Sequence, residues 1–317
     1  MNQKTALVTG ANSGVGLETV KQLSQLGYTK IILVCRTIEK GEVTIKKLLD
    51  EGFNNVYSVL AANLADKKSS HNALKELIDK NYRINLLILN ACIVPKTLER
   101  NDDGMELSFA SALLGHHILT VGLLDADLLT TDARIVTAGS EAARGDMPMM
   151  GLPNIDKIIN EEFNGDSEDT LRSFMFPSSN KKYHPMKNYS LTKLYVSLWT
   201  RSLARKLPNH IIANSISPGA TPNTNFARHQ SWVMQKIMLP IMKTFGPMMG
   251  MSGTLKDAAK RYLKILDFDE TTNGKFWVSK KGKMIGPLVI FSSPYLENVN
   301  FQNAVWNVIE NTSSNKA

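Results

Sequence analysis

The feature that most limits the fold is TALVTGANSGVGLETVKQLSQL, residues 5–26. Its apolar run, Thr5–Thr9, reads as a strand covered on both faces. The run leads directly into a turn carrying Gly10, Gly14 and Gly16, and from Gly16 to Leu26 the apolar residues take helical spacing. Strand, glycine turn and helix in immediate succession open a βαβ unit, which commits the chain to a parallel sheet. Gly10 permits the tight turn. Gly14 and Gly16 let the backbone come close to a pyrophosphate and let the helix pack on the strand. The unpaired N–H groups at the helix start then bind phosphate. A glycine-rich loop elsewhere would say little, but between a strand and a helix it marks a dinucleotide site.

Further apolar, β-branched runs follow at Ile31–Cys35, Val56–Ala61, Leu86–Asn90, Arg134–Thr137 and Ile211–Ser217, with helix-length amphipathic stretches such as Ile38–Asp50 and Ser69–Asp79 between them. The alternation predicts an α/β fold, a Rossmann-type doubly wound parallel sheet, with ligands beyond the carboxyl ends of its strands. No Pro/Gly/Ser-rich linker or repeat divides the chain, so residues 1–317 are expected as a single domain. Hydrophobic content of 43% supports a core. The net charge of +8 is scattered; the clusters Lys181-Lys182 and Lys280-Lys281-Gly282-Lys283 have no interleaved aromatics. That argues against nucleic acid, and a solvated surface with a polyanionic cofactor accounts for the charge. The first apolar run is too short for a signal peptide, and no stretch approaches the roughly 18 uninterrupted apolar residues of a spanning helix, so a cytoplasmic protein without a transmembrane segment is expected. Cys35 and Cys92, at strand ends, are expected as buried free thiols in a reducing compartment. No Cys/His/Asp cluster has metal spacing, and no metal is expected.

The second strand ends in LVCRT. An acidic residue here would hold a ribose 2′-hydroxyl. Arg36 stands there instead, and a guanidinium suits a 2′-phosphate, which selects NADP(H). Further on, KNYSLTKLY (187–195) puts Tyr189 and Lys193 one helical turn apart, while Leu191, Leu194 and Leu198 mark a buried face. An ammonium beside a phenol favours the phenolate and lowers a pKa ordinarily near 10, so such a tyrosine can exchange a proton near neutral pH. Taken alone, the pair is common by chance, and an ordinary amphipathic helix with two polar residues facing water is the better reading.

Together these residues resemble the short-chain dehydrogenase/reductase family. Thr9-Gly10-Ala11-Asn12-Ser13-Gly14-Val15-Gly16 matches TGxxxGxG, and Tyr189 with Lys193 matches YxxxK. Asn90-Ala91-Cys92 stands where the family has Asn-Ala-Gly, and Pro218-Gly219 follows the sixth strand as the family's PG motif does. The resemblance runs in order over about residues 4–225. It implies that Tyr189 is the general acid/base, that Lys193 lowers its pKa and holds the nicotinamide ribose, and that Ser140 in IVTAGSE positions the substrate oxygen. It assigns cofactor contacts to Gly10, Asn12, Ser13, Gly14, Val15, Gly16 and Arg36, then to Asn63 and Leu64 after the third strand. Asn90, Ala91, Pro218, Gly219 and Thr221 complete that set with Tyr189 and Lys193. The layout is most like the carbonyl-reductase, retinol-dehydrogenase and protochlorophyllide-reductase branches. Ser140 and Tyr189 lie 49 positions apart (189 − 140), and the insertion at about 145–186 is expected to cover the Tyr189 helix and leave the protein a monomer.

Some positions depart from the pattern. Gly139-Ser140 replaces the usual Ser-Ser. Asn63 takes the slot of an aspartate that contacts adenine, and an amide can still make that hydrogen bond. Cys92 replaces a glycine. Aligning Gly115 puts Ala112 where the family's fourth catalytic residue, an asparagine, holds a water of the proton relay; a backbone carbonyl, Ser108 or Ser111 is expected to hold it instead. The reading is an NADP(H)-dependent oxidoreductase reducing a ketone or aldehyde of an apolar substrate. Two rivals stand beside it: a cofactor-binding sensor that has lost catalysis, which Ala112 favours, and a non-reductive enzyme such as an epimerase or dehydratase. The methionine-rich residues 231–251, within a helical lid expected at about 225–255, suit a cover over a bulky apolar substrate, a core helix, or, least, peripheral contact with a membrane surface.

Overall fold

The computed structural model describes residues 4–147, 150–179, 182–221 and 252–314. β1 (Thr5–Thr9), α1 (Gly14–Gln25), β2 (Lys30–Cys35), α2 (Ile38–Asp50), β3 (Tyr57–Ala61), α3 (Lys67–Asp79) and β4 (Ile84–Leu89) form the first half. A helix α4 (Leu107–Asp125), β5 (Leu129–Ala138), α5 (Ile155–Glu162), α6 (Ser167–Met175), α7 (Pro185–Lys206) and β6 (Ile212–Ile216) follow. The described chain ends with α8 (Leu255–Leu263), β7 (Phe276–Val278), β8 (Val289–Ile290), α9 (Pro294–Glu297) and α10 (Val299–Ser313).

One sheet runs in the order β3-β2-β1-β4-β5-β6-β7-β8. The pairs are parallel except β7–β8, which is antiparallel. The order reverses between β1 and β4, which opens the crevice where such sheets bind ligands. Side chains alternate across the sheet as the pleat requires. Ala6, Val8, Ile31 and Leu33 join the core under α1, α2 and α8, whereas Leu7, Ile32 and Leu87 join the opposite core with α3, α4, α7 and α10. Each fully buried aliphatic side chain contributes about 1.5–3 kcal/mol.

The six strands expected from sequence lie where expected, with β5 beginning five positions early at Leu129. Its first turn, Thr130-Thr131-Asp132, is polar and escapes an apolar pattern. β7 and β8 were not foreseen. With three and two residues they show no period of their own; β7 is held by pairing with β6, and β8 by pairing with β7. Helix α4 is long and apolar enough to cross a membrane, but it is buried inside the protein, as a core helix is.

The insertion folds as α5 and α6, and its cover of α7 is shared. Tyr195 on α7 donates to the Leu171 carbonyl of α6 at 3.3 Å, but α10 packs along α7, α6 and α4 as well. Trp199 of α7 and Trp306 of α10 stack at 6.1 Å, and Ser202 donates to the Gln302 carbonyl at 2.8 Å. The insertion thus touches the Tyr189 helix, and α10 adds a cover that the sequence did not point to. The expected lid, as far as residue 251, lies outside the described residues.

Candidate active site

The glycine turn is built for close approach. Gly10 and Gly14 have φ of 64° and 56°, a left-handed backbone that glycine adopts without strain. A Cβ on Gly16 would sit 2.3 Å from the Gly10 carbonyl oxygen, so no other residue fits. Ser13 ends the turn as the N-cap of α1, followed by Val15 in the helix's first turn. Thr9 locks the turn to the next strand end: its hydroxyl accepts from the N–H groups of Asn90 (2.8 Å) and Ala91 (3.0 Å), while Asn90 Nδ2 donates to the Thr9 carbonyl at 3.0 Å. Arg36 is exposed one residue past β2, whose Val34 carbonyl accepts from Gly10 N at 3.0 Å. Asn63 is exposed past β3, and Leu64 beside it is buried against Gly115 of α4. The glycine turn that opens α1 and the exposed Arg36 after β2 fit a dinucleotide with a phosphorylated ribose.

At the carboxyl end of β5, Ser140 caps a short 3₁₀ turn, its hydroxyl accepting from Ala142 N at 3.2 Å. The Gly139 that replaces the family's serine has a physical reason: a Cβ there would lie 2.7 Å from the Phe276 ring. Ser140 lies within hydrogen-bonding reach of the Tyr189 phenol. Lys193, buried one turn on, holds its ammonium 5.7 Å from the centre of the Tyr189 ring and donates to the Ala138 carbonyl at 2.8 Å. The structure thus brings Ser140, Tyr189 and Lys193 together beside the glycine turn. The expectation of a lowered tyrosine pKa is corrected. Burial is the largest influence and pushes Tyr189 well up, Cys92 nearby adds to it, and Ser140 works the other way. Cys92 is a free, partly buried thiol, likewise pushed up by burial, and Cys35 is free and buried. Among the described residues no group of His, Cys, Asp and Glu could hold a metal ion.

Helix α4 departs from α-geometry at Ala110–Leu114, a π-helical turn centred on Ala112. Such turns leave backbone carbonyls without their usual partners and often mark functional sites. Both serines named as water holders are engaged: Ser111 accepts from Ile93 N at 2.9 Å and donates to the Ser108 carbonyl, and Ser108 donates to Glu106 at 3.0 Å. The Ala112 carbonyl accepts from His116 Nδ1 at 2.9 Å, and His116 Nε2 accepts from Thr9. A carbonyl has a second lone pair, so a backbone oxygen stays among the expected holders.

Several polar groups near the site had no sequence signal. Glu141, next to Ser140, is buried against Arg261, 120 positions away. Tyr262 donates to Asn90 Oδ1 at 3.2 Å. Glu106 caps α4 through Ser108 N (2.8 Å) and Phe109 N (3.2 Å) and accepts from Tyr183 of the insertion at 2.9 Å. Glu141 could have been suspected, since a carboxylate directly after an apolar strand end needs a partner if buried.

The fold and site define a nicotinamide-type dinucleotide oxidoreductase architecture, and comparison with known proteins agrees. The family model of short chain dehydrogenases matches residues 4–152. Retinol dehydrogenase 13 of Mus musculus is 27% identical over 285 residues, 90% of this chain and 78% of that protein. The WW domain-containing oxidoreductase of Gallus gallus is 28% identical over 77% of this chain, and the chain spans only 55% of its length. A structure from Mycobacterium paratuberculosis superposes with TM-score 0.67 at 22% identity, covering 98% of this chain and 93% of that one. A Burkholderia cenocepacia short chain dehydrogenase, solved in complex with NADP, gives 0.58 at 18% identity over 86% and 95%. The chain belongs to the short-chain dehydrogenase/reductase family.

Proposed function

We propose that the protein is an NADP(H)-dependent enzyme that reduces a ketone or aldehyde of an apolar substrate. The observation that carries this is the meeting of Ser140 and Tyr189 hydroxyls, with the Lys193 ammonium behind them, at the sheet edge that also bears the glycine turn. When bound, the nicotinamide supplies the hydride. The residues do the rest: Ser140 and Tyr189 hydrogen-bond the carbonyl oxygen, and Tyr189 gives it a proton. The Lys193 ammonium favours the phenolate that remains. Arg36 selects the 2′-phosphate, and the relative solved with NADP supports that choice. The free thiols are in keeping with a cytoplasmic setting.

The test is cofactor oxidation with a panel of aliphatic and aromatic carbonyls, with the Tyr189→Phe protein as control. Turnover that Tyr189→Phe abolishes, with cofactor binding retained, supports the reading. Cofactor binding without turnover of any carbonyl favours the sensor, to which Ala112 points. Turnover of a substrate with no net change in cofactor absorbance favours the epimerase or dehydratase.

A further inference from the structure

The carboxyl ends of β5, β6 and β7 meet around one buried carboxylate. Glu141, 1% exposed, accepts from Arg261 Nη2 at 3.0 Å, from Ser279 N at 3.0 Å and from Ser279 Oγ at 2.9 Å, all on Oε1. On Oε2 it accepts from Ser217 Oγ. Arg261, also buried, donates through Nη1 to Ser279 Oγ at 2.9 Å. The Ser279 hydroxyl accepts from the guanidinium and donates to the carboxylate, while the buried Arg261 Nε has no partner among the described residues.

This cluster acts on the turn after β6. Ser217 Oγ, held by Glu141, accepts from Gly219 N at 3.1 Å. The Arg261 Nη1 atom itself lies where a Cβ on Gly219 would be crowded, at 3.0 Å. The next residue is fixed from the same side, since Ala220 N donates to the Met284 carbonyl at 3.0 Å. Arg144, three residues beyond Glu141, donates to the carbonyls of Ser279 (2.7 Å), Lys280 (3.1 Å) and Lys283 (3.1 Å) and so anchors the segment leading to Met284.

The sheet decides which part of the cofactor this turn serves. The glycine turn and Arg36 belong to β1 and β2, on one side of the switch between β1 and β4. Ser140, Tyr189 and the β6 turn lie on the other side, so the adenosine half falls to the first and the reacting half to the second. We infer that Glu141 and Arg261 are positioning residues for the reacting half of the cofactor: their ion pair, through Ser217, sets the Pro218–Gly219 turn and ties it to the backbone of Ser140. This rests on the dinucleotide reading above. A buried ion pair adds little net stability over apolar side chains, so the effect of this pair is sought in geometry.

The experiment compares two ligands by titration calorimetry. One is NADPH or NADH, whichever the unaltered protein binds more tightly. The other is the matching adenosine fragment, adenosine 2′,5′-bisphosphate or AMP. Glu141→Gln removes the charge and keeps the shape; Ser217→Ala removes only the bridging hydroxyl and leaves the ion pair intact, in case Glu141→Gln does not fold. Each is expected to weaken the whole cofactor by about tenfold while leaving the fragment within about twofold, the size expected for a lost charge-assisted hydrogen bond. Amide hydrogen exchange at Gly219 and Ala220 is expected to quicken in both variants, with β1 unchanged. Fragment affinity also reports that a variant is folded. Whole cofactor and fragment weakened equally, or neither weakened, would overturn the inference. An unaltered protein that binds neither ligand overturns the dinucleotide reading instead.

Discussion

Gly139 shows how one missing methyl group can be dictated from far along the chain. Restoring the family's serine there would press a Cβ within 2.7 Å of the Phe276 ring. Gly139→Ser should therefore destabilise the fold by about 1–3 kcal/mol, the usual cost of overpacking, and Phe276→Leu should recover much of it. Denaturant unfolding of the single and double variants checks this, and additive losses would refute the steric account. Arg36 is a simpler case. If its guanidinium selects the 2′-phosphate, Arg36→Asp should invert the preference for NADPH over NADH, because a carboxylate repels the phosphate and accepts from a 2′-hydroxyl; measured affinities of both cofactors decide. In the sequence Arg36 was marked by its place after a strand and Tyr189 with Lys193 by their one-turn spacing, whereas Ser140 was carried over from the family resemblance. The Glu141–Arg261 pair was not legible, since its partners are 120 positions apart and no local spacing links them.

On the scale of elements, α4 carries the most testable chemistry. Its His116 is buried, which holds the ring neutral with a pKa lowered to about 4. In the unfolded chain the same group takes its proton near 6.5. The unfolded state therefore binds more protons between pH 6.5 and 4, so this contribution is present above pH 6.5 and drains away as pH falls to 4. The full span amounts to about 3 kcal/mol. Glu106, raised by burial, works in the opposite sense, its contribution falling as pH rises above its ordinary value. Comparing unfolding at pH 7 and pH 5 for the natural protein and His116→Gln isolates the histidine; an equal pH dependence in both would refute it. The π-helical turn of α4 also bears on the proton supply. With the Ala112 carbonyl able to accept a further hydrogen bond, Ala112→Asn should change the carbonyl-reduction rate only modestly, and most at high pH where protons are scarce. A pH–rate profile of both proteins tests this. Activity switched on only by the asparagine would instead favour the sensor. The π turn was not legible in the sequence, because an irregularity of one residue barely disturbs a helical spacing. The short strands β7 and β8 were hidden for the related reason that they rest on neighbours already in place.

For the whole molecule, the surface made by α4 and α7 is taken up from within. Trp199 donates to His117 Nδ1 at 3.0 Å, His117 faces Glu310 at 3.0 Å, and Trp306 of α10 stacks on Trp199. We expect a monomer in solution, with sedimentation or light scattering as the measure; a stable dimer or tetramer would contradict it. Trp306→Ala should cost about 3–5 kcal/mol of stability. The β1–β6 core and its strand–helix alternation were legible because apolar runs and glycines are local signals. The packing of α10 was not, since it depends on which long-range surfaces happen to be complementary.

The cluster around Glu141 has a consequence for how the protein is made. A nascent chain that has emerged only to about residue 225 already carries every motif that marks the family, from Gly10 to Gly219. It does not yet carry Arg261 or Ser279, on which the Glu141 carboxylate depends. Burying that carboxylate without its counter-ion is strongly unfavourable. The amino-terminal two-thirds should therefore wait on the ribosome with its edge at β5 and β6 unsettled, and the site should assemble only once β7 has been synthesised and docked.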